Sequence, residues 1–205
     1  MPSPVPIYLS NHQIIQSVNF ARLTWSNHYH RMWHTKEKGI SQITKGKLGE
    51  IALETFASMN GIKSQTNLQI NTGIDRYDLE MMNYTISVKT KACVRSFPSD
   101  LSTFYLHIPC DQYSRIVRDK TDFLIAVFLR CKKSPSWQNL SSLSSYIVGG
   151  IRLKDYDTKK VLHKAGTYPK GWNNTYPFPP PDSFAVSWQD LVDINNIFRE
   201  ISIPF

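Results

Sequence analysis

Residues 75–92 read DRYDLEMMNYTISVKTKA, and the fold turns on how this stretch is read. Acidic residues (Asp75, Asp78, Glu80) come first, then a short turn, then an alternating segment. In an extended chain Ile86, Val88 and Thr90 fall on one side, and Ser87, Lys89 and Lys91 on the other. The intervening EMMNY is a hairpin connection, although it lacks the Asn-Gly pair that most strongly favours a tight turn. A solvated hairpin would carry such charges. So would a site that sets two ammonium groups beside a serine, opposite a strand bearing Asp78 and Glu80.

The chain around it has 205 residues, enough for one domain with a true core. Its 41% hydrophobic and 20% charged content is that of a globular protein rather than a disordered one. The longest apolar run, FLIAVFL at 123–129, is strand-length, and the first residues lack the pattern of a signal peptide. No membrane association and a cytoplasmic location are the expectation. Cys93, Cys110 and Cys131 are odd in number and widely spaced, which argues against a disulfide scaffold or a cysteine metal site. The net charge of +8 favours a polyanionic partner. Six Lys and Arg precede Glu50 against one acid, and basic residues again outnumber acids between Arg115 and Lys133.

Helical spacing marks 11–32, and a basic loop is expected over 33–43. TKGKLGEIALETFASMNG, at 44–61, is the clearest helix, with Leu48, Ile51, Ala52, Phe56 and Met59 as its apolar stripe and Gly61 as its stop. Residues 1–9, with three prolines, read as an extended arm. Strands are expected within 62–70, on both sides of the hairpin, and at 102–109, 121–130 and 145–153. Helices are expected at 110–120, 154–165 and 186–201; the last would bury Trp188, Leu191, Ile194, Ile197 and Phe198 with Ser187 as its cap. The sum is a mixed α/β (α+β) domain with one central sheet flanked by helices, divided into an N-terminal basic segment, 1–43, and a core, 44–205.

Hydrolysis of a phosphodiester needs hard oxygen ligands for a divalent cation and a cation near the developing charge. Asp78, Lys89 and Glu50 supply those residue types from a strand end, a neighbouring strand and a helix. With GEIALE, YDLE and ISVKTK in this order, the chain resembles the PD-(D/E)xK nuclease superfamily, with its restriction-endonuclease-like fold, over roughly residues 44–155. The resemblance implies that Asp78 binds Mg²⁺ or Mn²⁺, with Tyr77 where the motif has Pro. It further implies that Lys89 is the catalytic lysine, Glu50 the helix acid and Val88 a carbonyl ligand. The motif's second acid is replaced by Ser87, which carries no carboxylate. Glu50, Glu80 and Asp100 are the candidates to fill that gap, and Glu50 matches the family's helix position.

DNA is the implied partner and a homodimer the implied assembly. Phosphate contacts are expected from Arg31, Lys36, Lys38, Lys45, Lys47, Lys91 and Arg95. His28, His30 and His34 are a possible basic contact or metal cluster, and Tyr168, Trp172 and Tyr176 are candidates for base stacking or for packing. Two other readings stay open: a nucleic-acid-binding module of the same fold that lost its chemistry at Ser87, and a nuclease for RNA or branched DNA.

Overall fold

A computed structural model of the protein describes residues 1–28, 35–66, 78–94, 96–97, 101, 104–131, 136–166 and 182–202. Its centre is β6 (Phe123–Arg130), whose residues are buried up to the last, Arg130. An uninterrupted apolar run is what a strand covered on both faces requires. Phe123, Ile125, Val127 and Leu129 enter one core; Leu124, Ala126 and Phe128 enter the other.

On one side of β6 runs β4 (Tyr84–Cys93), parallel to it, with Lys89 beside Ala126 and Lys91 beside Phe128. β3 (Leu79–Met81) pairs antiparallel with β4, and β2 (Ser64–Thr66) pairs antiparallel with β3. On the other side lie β7 (Ser142–Arg152) and then β1 (Val5–Ser10), both antiparallel to their neighbours. The sheet order is therefore β1-β7-β6-β4-β3-β2. The expected hairpin is present: Met82 and Asn83 both have positive φ, 47° and 72°, as a two-residue turn matched to strand twist requires.

α1 (Asn11–His28), α2 (Lys36–Met59) and α5 (Ile194–Ser202) cover one face of this sheet. The other face is covered by α3 (Cys110–Arg118), by α4 (Leu153–Lys159) and by a second sheet of order β5-β9-β8. Its strands are β5 (Tyr105–Pro109), β8 (Val161–His163) and β9 (Ser183–Ser187). β5 and α3 form the crossover that makes β4 and β6 parallel.

Several expectations are corrected. The 33–43 loop is mostly helix: Thr35 caps α2 by accepting from the Lys38 N–H, and Trp25 packs where a side chain at Gly39 would stand. The proposed boundary at 43/44 thus falls inside a helix. The N-terminal arm contributes β1, which the main sheet holds through β7. One central sheet becomes two, because 161–163, expected as helix, and 183–187, expected as irregular chain leading into the last helix, are strands. Trp188 lies in a 3-10 turn and is buried with β5 and β6, while Ser187 caps that turn by accepting from the Gln189 N–H. Among the described residues, no helix is long and apolar enough to cross a membrane.

The first residues of β4 and β6 are clamped by Asp122. Its Oδ2 accepts from the Thr85 N–H at 2.8 Å and from Thr85 Oγ1 at 3.0 Å, and its own N–H donates to the Thr85 carbonyl at 2.9 Å. Removing the carboxylate leaves a half-buried N–H without this acceptor. Asp122→Ala is therefore expected to cost about 1–3 kcal/mol. Urea unfolding should show a lower midpoint with an unchanged slope; an unchanged midpoint would mean that the clamp adds nothing.

Candidate active site

The hairpin register sets Leu79 opposite Ile86 and Glu80 opposite Thr85, and the Asp78 N–H donates to the Ile86 carbonyl at 3.0 Å. Residues opposite one another in a sheet share a face. Leu79 and Met81 enter the core while Glu80 is exposed on the other face, and the bond that Asp78 Oδ2 accepts from Ser87 Oγ brings its carboxylate to that face, with Ser87 and Lys89. β3 begins at Leu79, so Asp78 sits where the pairing with β4 ends. Its carboxylate takes over there: Oδ2 accepts from the Val88 N–H at 2.6 Å and from Ser87 Oγ at 3.0 Å.

Within a strand the N–H and C=O of one residue project to the same side. The Val88 carbonyl therefore faces the gap that Asp78 occupies. Asp78 Oδ1 has no partner among the described residues, and Lys89, half-buried, makes no ion pair or hydrogen bond among them. The structure thus brings Asp78, Ser87, the Val88 backbone and the Lys89 face together. Ser87 binds Asp78 rather than standing in for a carboxylate; it orients the acid.

Glu50 sits elsewhere on this framework. α2 meets β4 on the face of Ile86, Val88 and Thr90: a Cβ on Gly49 would stand 1.9 Å from Thr90 Oγ1. From that helix the Glu50 carboxylate forms an ion pair with Lys47, whose ammonium lies 4.3 Å from the Phe20 ring centre. Glu80 is exposed, two residues nearer the turn than Asp78.

Lys45 and Lys47, expected as phosphate contacts, are buried at 6% and 4% exposure, because α2 turns this stretch towards α1 and the sheet. Lys36 and Lys38 remain exposed. Arg31, Arg95, Asp100, Tyr77, His30, His34, Tyr168, Trp172 and Tyr176 lie outside the described residues, as does the side chain of His28.

For a divalent cation the fit is partial. Among the described residues no three His, Cys, Asp or Glu side chains gather as a ligand set. Mg²⁺, however, keeps several waters and needs only one or two carboxylates. The unpartnered Asp78 Oδ1, the Val88 carbonyl and the Ser87 oxygen are hard donors of the type it takes.

The far end of this β4 face holds Lys91, expected as a phosphate contact, beside two histidines that motif reading missed. The Lys91 ammonium lies 4.3 Å from the Phe104 ring centre and 5.9 Å from that of Trp188. Burial lowers its pKa. Nearby, His107 and His163 have ring centres 5.4 Å apart. Burial pushes the His107 pKa down to about 4, and the charges of Lys91 and His163 add to that. The alternation of YLHIP, with Leu106 and Ile108 in the core and His107 between them, was the available signal.

No family model, curated protein or solved structure matches the chain.

Proposed function

We propose that the protein is a Mg²⁺-dependent DNA endonuclease with a PD-(D/E)xK, restriction-endonuclease-like core. The observation that carries this reading is the seating of Asp78 at the point where β3 leaves β4, bonded to Ser87 and the Val88 N–H, on the face that bears Lys89. The order α2–β2–β3–β4–β5–α3–β6, in which β2, β3 and β4 form an antiparallel meander and β6 joins it parallel to β4 while β5 goes to the second sheet, supports it as the frame that the motif order implies.

In this reading Asp78 Oδ1 and the Val88 carbonyl hold the metal. Bound there, Mg²⁺ would polarise the phosphate and acidify a water. Ser87 fixes the Asp78 rotamer. Lys89 balances the charge that builds on the phosphoryl oxygens, or orients the attacking water. Of the two acids that could complete the shell, Glu80, on β3, follows Asp78, whereas Glu50 is paired with Lys47 on the helix that covers the other face of β4. Two-strand cleavage by a one-site chain makes a homodimer part of the proposal.

Supercoiled plasmid and a branched duplex, each incubated with Mg²⁺ and with EDTA, test it. Cutting in Mg²⁺ alone is expected. Binding to both DNAs without cutting either would leave a nucleic-acid-binding module instead. An RNA cut faster than DNA of the same sequence would reassign the substrate.

A further inference from the structure

Lys89 and Lys91 project from the same face of β4, one strand repeat apart. Two residues of extended chain span about 6.6 Å. That repeat is comparable to the distance between successive phosphates along one nucleic-acid strand.

Neither ammonium has a carboxylate or hydrogen-bond partner among the described residues. Lys89 has a stated use. Lys91, expected from the sequence only as one of several phosphate contacts, is half-buried and seated on Phe104 and Trp188, rings 5.0 Å apart. A cation drawn out of water and left without an anion is costly, and proteins normally pair it. An aromatic seat returns part of that cost and holds the stem in one place, yet supplies no negative charge. The same aromatic cluster is short of acceptors elsewhere, since the buried Trp188 Nε1 finds none among the described residues. His107 stands close enough for the Lys91 charge to oppose its protonation. A metal cation is the wrong ligand beside Lys91; an anion is the right one.

We infer that Lys91, seated on Phe104 and Trp188, is a second phosphate-binding cation, which takes the phosphodiester next to the one that Lys89 faces. The inference rests on the nuclease reading and narrows its substrate. A face that grips two consecutive phosphates takes a polynucleotide strand, and it discriminates against mononucleotides and phosphomonoesters, which offer no second diester.

The test is metal-free binding of a fluorescein-labelled 20-base-pair duplex, followed by anisotropy across a salt series. Lys91→Met keeps the stem on the aromatic rings and removes the charge. It is expected to bind about tenfold more weakly at a fixed moderate salt concentration. The slope of log K against log salt should fall by about 0.9, the signature of one lost phosphate contact. Lys91→Arg should keep both affinity and slope. Lys91→Gln replaces Lys91→Met if thermal unfolding shows the latter misfolded. A folded Lys91→Met or Lys91→Gln with wild-type affinity and slope overturns the inference, even if the wild type cuts DNA. Wild-type duplex that is bound in a Lys91-dependent way and never cut leaves the subsite standing and removes the nuclease. Absence of binding by the wild type overturns the subsite as well.

Discussion

Asp78→Asn and Lys89→Met should each lower Mg²⁺-dependent nicking of supercoiled plasmid by about 10³-fold, with the fold intact. Removing one group that stabilises transition-state charge typically costs 10² to 10³ in rate, about that amount. The choice of Asn matters. Its side-chain oxygen can still accept from Ser87 Oγ and the Val88 N–H, the two bonds that Asp78 Oδ2 accepts now. What is lost is the negative charge and the anionic Oδ1. Asp78→Ala would be a poorer probe, because it leaves the Ser87 hydroxyl, only 5% exposed, and the Val88 N–H without their acceptor. That adds about 1–3 kcal/mol of destabilisation to any catalytic effect. Lys89 has no partner to strand among the described residues, so Lys89→Met removes a charge and little else. Initial rates beside thermal unfolding curves separate the two effects. Wild-type rates in either variant would sink the assignment of this site.

The second large effect is structural. At Gly49 α2 approaches β4 so closely that an added Cβ would lie 1.9 Å from Thr90 Oγ1 and 3.1 Å from Thr90 Cβ. The hydroxyl can turn away; the Cβ cannot. Gly49→Leu must push the helix off the strand, and overpacking of this kind costs about 3 kcal/mol. For a chain of this size the melting temperature should fall by about 6–12 °C. Thr90 Oγ1 is itself buried without a partner among the described residues, so Thr90→Ala should cost little. Gly49→Ala combined with Thr90→Ala should then be more stable than the sum of the single changes predicts, because the Oγ1 obstruction is gone. Strict additivity in that double-mutant cycle would show that the contact does not limit the approach of α2 to β4.

Legibility followed how local each signal was. The stop of α2 at Gly61 was readable because that glycine takes φ +70°, a conformation dictated within a few residues. β6 was readable from its unbroken apolar run. The Asp78–Ser87 pair was half-readable: its two residues were singled out, but their bond depends on a turn of two residues rather than three. A one-residue change in that turn would have moved Asp78 to the other face. β1, β8 and β9 were misread because three to six residues with Pro, His or Ser carry too little pattern; they become strands through the partners that pair with them. Lys45 and Lys47 looked like surface cations, yet their burial depends on where α1 lies.

By itself, then, the sequence determined the mixed α/β character, the central helix and hairpin and the three residues Asp78, Ser87 and Lys89. Those follow from side-chain periodicity and residue chemistry within short windows. Only the tertiary structure decided which face of β4 each residue serves: α2 with Glu50 packs on one, while Asp78, Lys89 and Lys91 stand on the other. It also decided that Trp188, distant in sequence, forms the seat of Lys91. The physical reason is that a strand offers two equivalent faces, and only the elements that pack against it make them different.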